Sequence, residues 1–515
     1  MSGFGTRATI TNGAPLTKAI STGAPNSESA FGAPIGLKRP GPVPRLSRSA
    51  RRSRLMQTLN RPQGRTPAKA RPSAAFEAVS SREVIAVLEK HILVDGFKLV
   101  FDPAKSRGSR FVDAATGRTL IDLYSFYASQ PVGFNHPYFE RPEVQADLLQ
   151  AAKVKVANAD VYTVQYATFV ETFARVMGLP PLERYFFIEG GALAVENAVK
   201  AAMDWKVRKN LAAGRGERGT EIIHFERAFH GRSGYTLSLT NTDPRKTDFF
   251  AKFPWPRIAS PSLDFSLPPN QRARAVIEKE KIAETQIRDV LRAKGADIAA
   301  IIIEPIQGEG GDNHFRGEFL QTLRRLCDEH GALLIFDEVQ TGMGITGRNW
   351  CCQHFDALPD LLAFGKKAQV CGVMAGPRLD EVEDNCFRLP GRINSTWGGN
   401  FMDYVRSKHY LRLYETEQLV ENARVKGEIF LRELESLARR RPILSAPRGR
   451  GLMLGFDLPD AAQRDAFWKS CYELGLLVVR SGARSIRLRP VLDVKDDIIE
   501  QSLRLMDAAC RKMTT

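Results

Sequence analysis

Ile298-Ala-Ala-Ile-Ile-Ile-Glu304, Ala332-Leu-Leu-Ile-Phe-Asp337 and Leu361-Leu-Ala-Phe-Gly-Lys366 are three short apolar runs, each ending in a charge. A nearly uninterrupted apolar run is what a strand buried on both faces requires. Between the first two runs, Phe319, Leu320, Leu323, Leu326 and Cys327 fall at helical spacing, and Gly331 follows as a natural helix terminator. Two parallel strands joined by a helix put Glu304 and Asp337 at the same edge of a sheet. It is the carboxyl edge, where open α/β sheets bind ligands. Strand-like and helical stretches alternate from about 180 to 400, so the expected fold class is α/β, with a large domain built on a mainly parallel central sheet.

Outward from this core the chain changes in composition. Its 515 residues are 43% hydrophobic and 26% charged, as in soluble globular proteins. No uncharged apolar run nears the ~20 residues of a membrane-spanning helix, so no membrane partner is expected. The net charge of +16 is concentrated at one end: residues 1–75 carry 13 Lys and Arg against a single acid, Glu28, while the remainder nets only +4. With nine prolines and two aromatics, Phe4 and Phe31, the segment 1–75 reads as a disordered basic tail. Its densest charge run, Arg45–Arg54, suits a solvated tail, a targeting presequence or non-specific contact with polyanions. Met56 is an alternative start, and no specific nucleic-acid partner is expected. The seven cysteines are dispersed without a Cys-x-x-Cys pair. Neither a disulfide framework nor a metal site is therefore expected, and a reducing, cytoplasmic compartment is the simpler setting.

Beyond the tail, Ser81–Lys90 has a capping serine and helical apolar spacing. Lys98-Leu-Val-Phe101 and Leu120-Ile-Asp-Leu123 flank Arg110–Gly117, which reads as a hairpin with a glycine turn. Toward the C-terminus the pattern predicts one long charged helix at about 402–440, strands within Leu452–Leu458 and Ser485–Leu492, and an amphipathic helix from Asp496. The expected layout assigns 76–135 and 406–515 to a smaller α+β domain and 136–405 to the large one.

A buried charge needs a partner. Pyridoxal phosphate suits both Asp337 and Lys366: a carboxylate keeps its pyridine nitrogen protonated, and a lysine holds its aldehyde. An ordinary Asp–Lys pair is the competing reading. Three further stretches favour the cofactor. Glu189-Gly-Gly-Ala192 opens a helix whose N–H groups suit a phosphate. Phe229-His-Gly-Arg232 offers a ring to stack and a guanidinium for a carboxylate. Ile393-Asn-Ser-Thr-Trp-Gly-Gly-Asn400 is a hydroxyl- and glycine-rich loop.

In this order and spacing the motifs resemble the class III aminotransferases, pyridoxal-phosphate enzymes of fold type I, over about 80–515. Asp337-Glu-Val-Gln-Thr-Gly342 followed by Phe364-Gly-Lys366 is the most specific match. The resemblance implies that Lys366 carries the cofactor, that Asp337 faces the pyridine nitrogen, and that Gln340 lies near the ring hydroxyl. It further implies that Phe229 stacks on the ring, that His230 and Glu304 belong to the cofactor site, and that Gly191 and Ala192 form the phosphate turn. Thr396 then reaches the phosphate of a neighbouring subunit, which requires a homodimer or a higher assembly. Lys367 is excluded because the family's lysine directly follows the glycine and adjacent side chains in extended chain diverge.

Phe364–Gly376, Arg392–Asn400 and Glu304–Gly311 are most similar to the branch that acts on the ε-amino group of L-lysine. Cys371 supports that branch, whereas Ala368 departs from the expected threonine. The implied reaction is a ping-pong transfer of that amino group to 2-oxoglutarate, giving 2-aminoadipate 6-semialdehyde and L-glutamate. Arg232 then holds the distal carboxylate of either substrate, with Asn394 also in the substrate site. Arg487 takes the carboxylate beside the reacting carbon of 2-oxoglutarate, and Glu309 covers Arg487 when lysine is bound. Arg489 is expected to be solvated or structural, by strand alternation. Alternatives are another ω-aminotransferase, of the ornithine or 4-aminobutyrate type, and a polyanion-binding protein acting through the basic tail.

Overall fold

The computed structural model describes residues 79–514, and the basic tail 1–75 lies outside them. Seven strands form the central sheet: β1 (Arg184–Ile188), β2 (Glu221–Phe225), β3 (Arg257–Ile258), β4 (Ile298–Ile303), β5 (Leu333–Asp337), β6 (Leu361–Phe364) and β7 (Cys371–Ala375). Their order across the sheet is β1-β7-β6-β5-β4-β2-β3. Strands β6, β5, β4, β2 and β3 pair in parallel, whereas β7 runs antiparallel to both β6 and β1. The sheet is mainly parallel, as expected of the α/β class.

Both faces of this sheet are covered. Ala300, Ile302, Leu333, Ile335 and Leu361 pack with Val195, Ala198, Ala202 and Trp205 of the helix Gly191–Ala212. The alternate residues Ile301, Ile303, Leu334, Phe336, Leu362 and Phe364 pack on the other side with Phe169, Phe173, Leu320 and Leu323. This two-sided burial explains why these strands read as unbroken apolar runs. The helix Gly317–His330 ends at Gly331, which is left-handed at φ 59, as its position in the pattern predicted.

Three smaller sheets lie outside it among the described residues, one of them the two-stranded pairing of Ile306–Gln307 with Asn313–His314. Ser445–Arg450, Met453–Asp457, Ser485–Leu488 and Val479–Ser481 form an antiparallel four-stranded sheet in that order. Arg110–Val112 and Thr119–Asp122 form the expected hairpin, with Gly117 at φ 74 in its turn. A third strand, Leu476–Leu477, runs parallel to Thr119–Asp122 and sets Leu476 opposite Ile121.

Several elements differ from the sequence expectation. The helix near the start is shorter, Val84–Glu89, and Ser81 does not cap it. Lys98–Phe101 contributes a single bridge, Phe101 to Asp113, rather than a strand. The long charged helix is two, Phe401–Thr416 and Leu419–Arg440, separated where Gln418 turns left-handed at φ 50. The strand in Ser485–Leu492 ends at Leu488, because Pro490 has no N–H to offer a ladder.

The loop after β5 is held from below by Glu338. Its carboxylate accepts N–H bonds from Cys351 at 2.6 Å and Cys352 at 2.8 Å, and a hydroxyl bond from Thr341 at 3.1 Å. Phe364, at the end of β6, is fully buried, with its ring centroid 5.1 Å from that of Phe173 and 6.0 Å from those of Phe187 and Trp350. Phe364→Ala is expected to destabilise the protein by about 3–5 kcal/mol, measured as a lower denaturant midpoint with an unchanged slope.

Candidate active site

Ile303 pairs with Phe336 and Ala363 with Asp337, so Glu304, Asp337 and Lys366 leave the sheet at one edge. Asp337 is almost fully buried. Its Oδ1 accepts the Val339 N–H at 3.0 Å, and its Oδ2 lies 2.8 Å from Nδ1 of the buried His230. Nε2 of His230 is buried without a hydrogen-bond partner among the described residues. Glu304 accepts the Phe229 N–H at 2.9 Å and the Gly308 N–H at 3.1 Å, and so braces two backbone segments. Burial, and then the charge of Asp337, push its carboxyl well above the usual range.

Close backbone approach sets the loop carrying Phe229 and His230. Gly231 has φ 130, and a Cβ there would stand 2.5 Å from the Ala192 Cβ. Glycine therefore lets this loop dock on the start of the helix Gly191–Ala212. That helix has no side-chain cap, and Gly190 before it is at φ 96. A Cβ on Gly191 would meet Val339 at 2.9 Å.

Lys366 starts a 3-10 turn, Lys366–Ala368, with its own φ at 50. It is half-buried, and burial and then the charge of Arg487 lower its ammonium pKa, favouring the neutral amine. Lys367 goes elsewhere. It is buried, and its Nζ donates to the Gln130 carbonyl at 2.9 Å. Burial, and then Arg489, pull it down to about 7.

The two arginines of the strand Ser485–Leu488 and its continuation reach the same amide. Oε1 of Gln340 accepts from Arg487 Nη1 at 3.3 Å and from Arg489 Nε at 3.1 Å. Residues two apart on a strand share a face, so alternation does not separate them, contrary to the sequence argument. What separates them is pairing. Arg489 is fully buried against both carboxylate oxygens of Asp312 and the Leu454 and Leu488 carbonyls, so it is structural and not solvated. Arg487 donates through Nη2 to Glu309 Oε2 at 3.0 Å. The other Glu309 oxygen accepts from the Lys246 ammonium. Although burial opposes ionisation, Arg487 and Lys246 outweigh it and hold the Glu309 carboxyl below its ordinary value.

Glu309 and Arg487 face a cavity of about 870 Å³ that Arg232, Tyr127, Lys246, Arg464 and Trp468 also line. Tyr127 lies with its ring centroid 5.7 Å from the Arg487 guanidinium carbon. It is carried by four consecutive non-glycine residues at positive φ, Ser125 to Ala128 (φ 40 to 69). Each such residue costs roughly 1–2 kcal/mol, so the turn needs bracing. Asp122 Oδ1 accepts the Tyr124 and Ser125 N–H groups, each at 2.8 Å, and the Ser125 hydroxyl donates to the Arg489 carbonyl at 2.6 Å. Asn394 and Thr396 are exposed and do not line this cavity.

Sequence reasoning missed Lys246, Tyr127 and the Asp312 partner of Arg489. Lys246 sits in Asp243-Pro-Arg-Lys246, a stretch indistinguishable from a solvated turn. Only Asp122, two residues before Tyr124, carries a local turn signal.

The donor set fits pyridoxal phosphate. Asp337 is a buried carboxylate with no Lys or Arg in its ion pairs among the described residues, as a protonated ring nitrogen requires. The uncapped helix start beside Gly190 and Gly191 fits the phosphate, and Lys366 fits the aldehyde. A mainly parallel sheet with these groups at its carboxyl edge defines a fold type I pyridoxal-phosphate enzyme. Residues 94–510 match the class III aminotransferase family, and the chain belongs to it. An L-lysine-epsilon aminotransferase of Mycobacterium tuberculosis is 49% identical over 431 residues, 83% of this chain and 95% of that protein. The mitochondrial 4-aminobutyrate aminotransferase of Homo sapiens is 30% identical over 420 residues, 76% of this chain and 81% of that one. Among solved structures, a lysine aminotransferase from M. tuberculosis superimposes with a TM-score of 0.82 at 49% identity, covering 84% of this chain and 99% of that one.

The stability of the site floor carries a pH signature. Lys367 gains its proton near pH 10.5 when unfolded but near 7 when folded. Between these values the unfolded chain binds more protons, so this group's contribution to stability falls as pH drops from about 10.5 to about 7. The stability difference between wild type and Lys367→Met is expected to move in favour of the variant over that window, read from denaturant melts at stepped pH.

Proposed function

We propose that this chain transfers the ε-amino group of L-lysine to 2-oxoglutarate, giving 2-aminoadipate 6-semialdehyde and L-glutamate. The observation that carries the two-substrate reading is Glu309 paired to Arg487 in the same cavity as Arg232. Lysine for the amine rests on the higher identity to lysine aminotransferases than to the 4-aminobutyrate enzyme. Bound pyridoxal phosphate supplies an electron sink and carries the amino group between the two half-reactions.

Each residue then has a task. Asp337, oriented by His230, keeps a proton on the ring nitrogen. With the cofactor bound, Phe229 would pack on its ring, Gln340 would lie near its hydroxyl, and the N–H groups at Gly191 and Ala192 would hold its phosphate. Lys366 would hold the aldehyde, and its Nζ would move the proton to and from the reacting carbon. Arg232 binds the carboxylate at the far end of either substrate. With lysine in place the reacting carbon bears no carboxylate, and Glu309 satisfies Arg487, which would otherwise be a costly unpaired cation. With 2-oxoglutarate in place its near carboxylate takes Arg487, and Glu309 withdraws.

We place the working unit as a homodimer in the cytoplasm. The support is an exposed apolar patch, Val154, Val161, Tyr162, Val164 and Trp397, beside the loop of Asn394 and Thr396. Asn158 Nδ2 donates to the Trp397 carbonyl at 3.0 Å, which ties the two segments together. A second copy covering the patch brings Thr396 to the partner's phosphate. All seven cysteines are free thiols, in keeping with a reducing compartment. Among the described residues no helix is long and apolar enough to cross a membrane.

L-lysine alone is expected to convert the bound cofactor's absorbance band to that of its aminated form, and 2-oxoglutarate alone to restore it. Lys366→Ala abolishes both changes, and Lys367→Ala keeps them. A wild-type band that responds to ornithine or 4-aminobutyrate but not to lysine overturns the substrate assignment. Light scattering is expected to give twice the chain mass. Tyr162→Glu reduces that mass and releases cofactor on dilution; a wild-type monomer that retains cofactor rejects the dimer.

A further inference from the structure

The Glu309 carboxylate is held from two sides: Arg487 takes Oε2 at 3.0 Å and the Lys246 ammonium takes Oε1. Lys246 closes a short 3-10 turn, Pro244–Lys246, whose geometry is set by the residue before it. Asp243 accepts the Arg245 N–H at 3.1 Å and grips the Arg245 guanidinium through both oxygens. Asp243 is thereby committed to Arg245, and Glu309 is the acid that Lys246 meets. The Lys246 ammonium also stands 5.6 Å from the centroid of Phe229, so it is anchored at the wall of the cavity and not adrift on its rim.

We propose that Lys246 is a positioning residue that keeps Glu309 paired when a dicarboxylate takes Arg487. The inference rests on the two-substrate reading above and names the group that makes Glu309 free to leave. The Lys246 cation sits on a flexible stem and can follow a moving carboxylate. Glu309 keeps only 22% of its side chain exposed. Without Lys246 its withdrawal from Arg487 leaves a half-buried carboxylate unpaired, a penalty borne only when the second carboxylate binds. With Lys246 the acid exchanges two cations for one and is never unpaired. Lys246 therefore sets the balance between substrates with and without a carboxylate beside the reacting carbon.

The test compares wild-type, Lys246→Met and Lys246→Arg holoenzymes with two unreactive probes, glutarate for the dicarboxylate and hexanoate for the monocarboxylate, titrated by calorimetry. Lys246→Met is expected to shift the ratio of the two dissociation constants about tenfold against glutarate, and Lys246→Arg to restore it. In the half-reactions the same variant raises the 2-oxoglutarate concentration at half-maximal rate relative to that for L-lysine, with limiting rates little changed. A Lys246→Met ratio equal to wild type, or one that Lys246→Arg fails to restore, overturns the proposal. Because both probes are unreactive, this result stands apart from the substrate assignment, which falls only if wild-type protein takes no amino group from lysine.

Discussion

A carboxylate buried at the carboxyl end of the central strand is the constraint from which the site follows. Asp337 ends β5 with neighbours on both sides, so water does not solvate it, and its charge must be met by fixed groups. The Val339 N–H and the His230 ring supply two of them. His230 must arrive along a loop that crosses the start of the helix Gly191–Ala212, and only a glycine at 231 permits that crossing. Glu304 then ties the same loop to the segment at Gly308. Two buried carboxylates, Asp337 and Glu304, thus tie three backbone segments together.

A second layer of charge is arranged by subtraction. Arg487 and Arg489 emerge on one face of one strand and share the Gln340 oxygen. Asp312 neutralises the deeper one inside the protein, which leaves the shallower one to negotiate with whatever enters the cavity. Because Glu309 is itself shared between Arg487 and Lys246, neither Arg487 nor the acid beside it is bare in the resting site. This is how a pocket rich in arginine accepts the apolar methylene chain of an amine.

Much of the sheet was legible in the chain because two-sided burial leaves its mark on every residue of a strand. The runs ending at Glu304, Asp337 and Lys366, the stop at Gly331 and the hairpin around Gly117 all appear where the pattern put them. The break at Gln418 was not legible, since glutamine is a good helix former and no glycine or proline marks the spot. The left-handed turn at Ser125–Ala128 was hidden for the same reason: ordinary residues are held there by Asp122 and by the Arg489 carbonyl, a contact 364 positions away in sequence. In the candidate site, residues within short motifs could be picked out, whereas Lys246 and Asp312 acquire meaning only from partners that folding delivers. The argument from alternation failed for Arg489 because its pairing with Asp312, not its face, distinguishes it from Arg487.

The parallel pairing of Leu476 with Ile121 has a consequence for biogenesis. The hairpin strand Thr119–Asp122 leaves the ribosome with one edge open and must wait some 355 residues for its neighbour. At about 5–20 residues per second that interval is roughly 20–70 s. Throughout it, Leu120, Ile121 and Leu123, all buried in the finished protein, lack part of their cover. The cavity, whose lining includes Arg464, Trp468 and Arg487, is likewise completed only when nearly the whole protein has been made.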